Sequence, residues 1–368
     1  MKRHRAAARY MDSFFILIRR IDYKYRNFWI NLHKFLAKMR KWAMLAALIL
    51  LLSCTGGRGR YVQVSGYAQG GTYTVKFNMK GVTVPVETIR DSIDALLEGI
   101  DTTLSGYNGN SLLSRFNAGE IIRPNSMFME MYTMGYEYWK RSGGALDFAA
   151  GPLYDAWGFG FRNSAFPSDA TVDSLRRSCG MGLLPEALPV RDGILDPSAI
   201  GNPRLNYNAI AQGYSCDVVA RYLYSIGIKD MLVDIGEIWC DGVNPSGRPW
   251  AVGIDQIESV WVSQGGPKAI VTSGNYRKFY VRDGRKYAHT IDPVTGYPVT
   301  HNLLSATVVS SVSAADADAL ATWCMVLGLS RAQELILGDS TLEGCLIHEA
   351  EDGNLETWYS PGFTVRNQ

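Results

Sequence analysis

The sequence predicts an α+β fold, mixed sheets flanked by helices in one large domain or two close lobes, on three observations. The hydrophobic period switches repeatedly between about 2 and about 3.6 residues. Hydrophobic residues make up 47% of the chain, and the roughly 300 residues past the N-terminal region can bury a sizeable core. Past Arg60 there is neither a tandem repeat nor a low-complexity linker.

The elements follow in order. Residues 72 to 78, TYTVKFN, alternate as a strand does. Val86, Ile89, Ile93, Leu96, Leu97 and Ile100 then recur at helical spacing behind Pro85, which predicts a helix over 86–98. A second helix runs from Asn125 to Arg141 and ends at Gly143-Gly144; a third spans Ala211 to Ile226 and stops at Gly227, the usual place for a C-terminal glycine. Short strand-like runs follow at 231–235, 250–254, 268–272 and 305–310, and a last helix covers Ala315 to Leu327.

The N-terminal region reads as an export signal. Trp42 to Leu52 is an apolar run of eleven residues behind Arg40 and Lys41, too short to span a bilayer comfortably. Its ending, Leu51-Leu52-Ser53-Cys54, resembles the lipobox of bacterial lipoproteins, which makes Cys54 the expected lipid-modified residue. Residues 1–53 are thus an N-terminal extension plus signal peptide, with Met39 as the expected translation start. The alternative makes 1–38 a cytoplasmic or membrane-surface arm. Residues 54–64 form the anchor and a Gly-rich tether, and 65–368 the folded domain. The expected location is the cell envelope, lipid-anchored to a membrane and facing the periplasm.

Charge divides at the same place. Residues 1–53 hold 12 of the 37 basic and 2 of the 35 acidic residues, which leaves 25 basic against 33 acidic groups beyond them. A net-acidic body argues against nucleic acid as a partner. The cysteines past Cys54 are Cys179, Cys216, Cys240, Cys324 and Cys345, an odd number without a C-x-x-C pair, so neither a zinc site nor a disulfide framework is indicated.

Several segments carry chemistry. In SVSAADADALAT, Ser313 and Asp316 form a capping pattern, which gives Asp316 a structural role. Asp318 and Thr322 stand at i and i+4, where one helix face presents a carboxylate and a hydroxyl to a common point. Such oxygen ligands suit Mg²⁺, although aspartates near a helix start commonly just complement its dipole. His289 precedes an Asp292-Pro293 turn, and a turn histidine is an ordinary thing. The run NYNAIAQGYSCD over 206–217 opens a helix with small residues at Ala209, Ala211 and Gly213, which either admit a ligand to the backbone or serve helix packing. No P-loop or G-x-G-x-x-G fingerprint occurs.

Taken in order, five segments closely resemble the ApbE-type FAD:protein FMN transferases: TTLSGYNGNSLLSRFN, ALDFAAGPLYDAWGFG, NAIAQGYSCDVVARYL, SGNYRKFYVRDGRKYAHTIDPVTGYPV and ADADALATWCMVLG. The likeness covers roughly residues 66–348. It implies Mg²⁺-dependent transfer of FMN from FAD to a Ser or Thr hydroxyl of a partner protein, with release of AMP. It also implies metal ligation by Asp318, Thr322 and the Ala209 carbonyl. The flavin and adenosine are expected near Gly70, Tyr107, Ala145, Leu146, Asp147, Asn206, Gln212 and Ile291. Acceptors are expected among subunits of membrane-bound, redox-driven ion pumps. Three positions depart from the family's usual pattern: Gly70 in its Met-Gly-Thr, Gln212 where a charged residue is frequent, and Asn206 where an aspartate is.

The chemistry needs alignment and charge neutralisation at a pyrophosphate more than covalent help. The hydroxyl proton needs an acceptor, and His289, an imidazole with an unperturbed pKa of about 6.5, is the expected base, with Asp292 orienting it. Two alternatives remain open at this level: an FAD pyrophosphatase that releases FMN and AMP, and a non-enzymatic flavin-binding lipoprotein. An intact Asp318/Thr322 pair favours an enzyme.

Overall fold

Tyr61–Ala68 (β1) and Gly71–Asn78 (β2) form an antiparallel hairpin whose last pair, Ala68 with Gly71, leaves Gln69 and Gly70 as a two-residue turn. In the computed structural model the described residues are 59–161, 166–254, 260–262, 266–275, 279–282 and 285–366. The apolar run at 42–52, Met39 and Cys54 lie outside them. β1 takes in residues 61–64, which the sequence reading assigned to the tether.

Val86–Leu104 (α1) starts behind Pro85 as expected but runs past residue 98, because Ile100, Thr103 and Leu104 continue its buried stripe. Leu112–Asn117 (α2), capped by Ser111, leads to Ser126–Arg141 (α3), where the Asn125 side chain accepts the Phe128 N–H. Gly151–Ala156 (α4) and Asp169–Ser178 (α5) are short helices that periodicity did not reveal. Ala211–Ser225 (α6) then precedes Met231–Asp234 (β3) and Ile238–Asp241 (β4).

Ala251–Gly253 (β5) and Val260–Val262 (β6) begin a small side sheet. Lys268–Gly274 (β7) returns to the main sheet, and Phe279–Arg282 (β8) pairs with Arg285–Ala288 (β9). Ile291–Asp292 (β10) pairs with Tyr297–Pro298 (β11) across the Asp-Pro turn. The chain continues through Leu303–Ser310 (β12), Ala314–Leu327 (α7), Leu329–Leu337 (α8), Leu342–Glu349 (β13), Leu355–Tyr359 (β14) and Val365–Arg366 (β15). The main sheet has eight strands in the order β1-β2-β3-β4-β7-β12-β13-β14, every neighbouring pair antiparallel.

α6 packs on β3 and β4, and α7 packs on β7 and β12 while also touching α6 and α8. This makes α7 a core helix: Ala314 through Ala321 are all buried. Its alanines follow from that position, since helices squeezed between a sheet and a neighbour need small side chains. α6 approaches most closely at Gly213, where an added Cβ would lie 2.2 Å from the Ala314 carbonyl oxygen. The small residue at 213 therefore serves helix packing. The five cysteines among the described residues are free.

Candidate active site

The N-terminus of α7 is fully committed to structure. Ser313 Oγ accepts the Asp316 N–H at 3.0 Å, and the two oxygens of Asp217 accept the Ala314 and Ala315 N–H groups at 2.8 and 2.9 Å. Asp316 turns away from Asp318; its carboxylate accepts from Tyr138 and Ser310 and pairs with Arg141. That is the structural role its sequence position implied.

Asp318, one position past the first turn, is different. It is 5% exposed, and its Oδ2 accepts the Gly213 N–H at 3.0 Å. Gly213 thereby spends its N–H on α7 instead of on the carbonyl four residues back, which is Ala209. Among the described residues no hydrogen bond reaches the Ala209 carbonyl, and none uses the Gln212 N–H. The first turn of α6 thus presents a free acceptor and a free donor beside a buried carboxylate. Thr322 lies one turn further along the α7 face, with its hydroxyl 3.3 Å from Ser273 Oγ on β7.

Among the described residues no basic side chain pairs with the carboxylate here. Burial pushes the Asp318 carboxyl up to about 7, opposed by the Gly213 N–H and reinforced by Asp217. Glu237, between β3 and β4, is raised well above the carboxylate range by burial and then by Asp318, while the Thr272 N–H lowers it. Asp217 is itself lifted to about 6 by burial. Among the described residues no Lys or Arg forms a salt bridge with Asp318 or Glu237. Buried carboxylates without a cation are costly, so the site is built for a positive charge to arrive. A carboxylate, a hydroxyl and a backbone carbonyl are hard oxygen donors, the set Mg²⁺ takes. No cluster of three His, Cys, Asp or Glu able to hold a metal occurs among the described residues.

The segment 206–215 gathers the other expected contacts. Asn208 Nδ2 donates to the Tyr107 hydroxyl at 3.1 Å, holding a ring that is otherwise 74% exposed. Asn206 is buried, with its N–H on the Phe148 carbonyl and its Oδ1 accepting the Asn208 N–H. Gln212 packs against Gly236, where a Cβ would stand 2.8 Å from Gln212 Nε2. Gly70, at the tip of the β1–β2 turn, is held near α6 because the neighbouring Gln69 amide donates to Ser215.

His289 lies between β9 and β10, its ring edge-on to Phe159. The next residue, Thr290, donates to Asn275 Oδ1 at 2.7 Å, and both side chains are buried. Asn275 immediately follows β7 and lies two positions from Ser273, the partner of Thr322. Residues two apart in an extended chain share a face about 7 Å apart, so the end of β7 ties the His289 segment to the Thr322 face of α7. The Asp292 carboxylate has a turn role: Oδ1 accepts the Val294 N–H at 2.9 Å. A cavity of about 660 Å³ opens beside it, lined by Trp157, Tyr287, Asp292, Tyr297 and Val326 among others. Val326 is one helical turn beyond Thr322.

Some expected residues have their side chains turned inward. The side chains of Ala145, Leu146 and Ile291 are buried. Asp147 binds the Ala149 and Met181 N–H groups, and burial raises its carboxyl against those bonds. Sequence reasoning missed Glu237, Ser273, Asn275 and Gln69. The one local hint was Gly236, whose φ of 91° marks a sharp turn that brings Glu237 around.

Known proteins resemble this chain in sequence and in fold. The ApbE family profile matches residues 69–346. The FAD:protein FMN transferase of Vibrio cholerae is 36% identical over 304 residues, covering 80% of this chain and 89% of that protein. That of Escherichia coli is 30% identical over 288 residues, 75% of this chain and 80% of its own length. The structure of the flavin transferase ApbE from Vibrio cholerae superposes with a TM-score of 0.70 at 31% identity, covering 82% of this chain and 98% of that one. The apo flavinyl transferase ApbE of Pseudomonas stutzeri gives 0.70 at 29% identity, with 82% and 96% covered. With the profile spanning most of the chain and a relative above 30% identity along four fifths of it, this chain belongs to the ApbE family.

Proposed function

We propose that the protein transfers FMN from FAD to a Ser or Thr hydroxyl of a partner protein and releases AMP, with Mg²⁺ at the pyrophosphate. The observation that carries the reading is the buried carboxylate of Asp318, which among the described residues has no cation beside it, next to the Ala209 carbonyl and Gln212 N–H, which no described residue uses, together with relatives named for this activity. Asp318, Thr322 and the Ala209 carbonyl would hold Mg²⁺, which when bound neutralises charge on the phosphate oxygens. The Gln212 N–H, at the start of α6, donates to a phosphate oxygen in the manner of helix N-termini. Tyr107, held by Asn208, and the Gly70 tip flank the bound nucleotide. His289 accepts the proton of the attacking hydroxyl, kept in register by the Thr290–Asn275 bond. Asp292 contributes through the turn that presents this segment, and the cavity beside it leaves room for the acceptor polypeptide. Catalysis is then chiefly alignment for in-line displacement at the FMN-side phosphorus.

The acceptor is a flavinylated subunit of a membrane redox-driven ion pump, and the protein works at the cell envelope, tethered through Cys54 and facing the periplasm. No helix among the described residues is long and apolar enough to cross a membrane. Cys54→Ala should therefore release the protein into the soluble fraction with its transferase activity intact. A mature N-terminus upstream of Met39 would contradict the anchor. The transfer reaction is tested by mass spectrometry of an acceptor domain incubated with the protein, FAD and Mg²⁺. One covalent FMN is expected per acceptor; free FMN and AMP with unmodified acceptor would mean hydrolysis instead.

A further inference from the structure

Gln69 breaks a local rule. A two-residue hairpin turn with positive φ at both positions favours Asn, Asp or Gly, because other L side chains resist that conformation. Gly70 meets the requirement at φ 79°, but Gln69 adopts φ 52° with a long side chain. A residue the turn itself disfavours needs a reason elsewhere in the fold. That reason lies 146 positions away, where Gln69 Nε2 donates to Ser215 Oγ on α6. Ser215 is fully buried and its hydroxyl in turn donates to the Ala211 carbonyl at 2.7 Å. The relay Gln69 to Ser215 to Ala211 ends on the first turn of α6, two residues from the Gly213 N–H that holds Asp318.

The tip has little else to hold it. Gly70 and Gly71 are exposed with no atom within 4 Å of where a Cβ would stand, and β1 is an edge strand. We infer that Gln69 is a positioning residue that latches the β1–β2 tip to α6 and sets Gly70 beside the nucleotide site before FAD binds. It touches no reacting atom. Its effect is on affinity, since a contact ordered in advance removes that ordering cost from binding. The inference rests on the FAD site proposed above.

Gln69→Asn separates the latch from the turn. Asn suits positive φ better than Gln, yet its amide is one methylene too short to reach Ser215, so a residue needed only for the turn would tolerate or welcome the change. The latch predicts that the Kd for FAD rises about tenfold, the worth of one hydrogen bond. Single-turnover transfer at saturating FAD should stay within about twofold. Hydrogen exchange at residues 68–72 should quicken in the FAD-free protein. Ser215→Ala should do the same, and the double variant should lose no more than either single. A Gln69→Asn protein with wild-type Kd and wild-type exchange overturns the latch, as do losses that add in the double variant. If exchange quickens but wild-type protein does not bind FAD, the proposed nucleotide site has failed, and the role given to Gln69 falls with it.

Discussion

Gly213→Ala tests whether the α6–α7 contact builds the proposed metal site. An ideal Cβ at 213 would lie 2.2 Å from the Ala314 carbonyl oxygen, 2.6 Å from its carbon and 2.9 Å from the Ala315 nitrogen, against ordinary contact from 3.4 Å. These are backbone atoms that cannot rotate aside, so the helices must part by about 1 Å at this point. Overpacking of this kind costs about 1–3 kcal/mol. The same displacement stretches the 3.0 Å bond from the Gly213 N–H to Asp318 beyond useful range, and a buried carboxylate that loses a donor costs about 1–3 kcal/mol more. A total of about 2–6 kcal/mol corresponds to a fall in Tm of roughly 5–20 °C for a domain of this size. Misplacing a catalytic group by about 1 Å costs about 10²-fold in rate. The assay is a thermal melt beside single-turnover FMN transfer at saturating FAD and Mg²⁺. Gly99→Ala on α1 is the control, because a Cβ there meets nothing within 4 Å and should stabilise by about 0.5–1 kcal/mol. A Gly213→Ala protein that melts and transfers like wild type would refute the reasoning, since it would show that the helices slide apart freely and that Asp318 does not depend on Gly213.

Asp318→Asn keeps side-chain volume and an acceptor for Gly213 but removes the charge. It should lower transfer by about 10²–10³-fold while leaving Tm equal or higher, because an uncompensated buried carboxylate is removed; full activity at low Mg²⁺ would exclude Asp318 as a ligand. His289→Asn should slow transfer by about 10²–10⁴-fold with little change in FAD affinity, and the loss of rate at low pH should vanish in the variant; a wild-type rate and pH profile would remove His289 from the mechanism. His301 gives a pH effect away from the site. Its Nε2 lies 2.9 Å from the Met325 carbonyl and its Nδ1 accepts the Leu303 N–H, so only the neutral ring satisfies both, and burial holds its pKa below 6.5. The unfolded chain takes up this proton at higher pH than the fold, so the stability it confers is present above pH 6.5 and is lost as pH falls through the folded value. The slope is at most about 1.4 kcal/mol per pH unit, and denaturant unfolding at pH 7 and pH 5 should show a smaller pH difference in His301→Gln than in wild type.

What the sequence determined by itself was local. Pro85 and the stripe from Val86 to Ile100 placed α1, Asn125 and the double glycine bounded α3, and Gly227 ended α6, because capping and periodicity act within a few residues of one another. The i, i+4 spacing of Asp318 and Thr322 likewise needed only a helix to put both on one face. The tertiary structure decided everything that depends on partners far along the chain. It buried the first two turns of α7 on all sides, turned the side chains of Ala145, Leu146 and Ile291 into the core, and made β1, YVQVSGYA, an edge strand. It brought Glu237 to Asp318, Ser273 to Thr322, Asn275 to Thr290 and Gln69 to Ser215. None of these pairs has a local signature. Each exists because sheet register and helix packing set two distant backbones at hydrogen-bonding distance, and a burial environment that can lift a carboxylate toward neutrality exists only once those layers close over it.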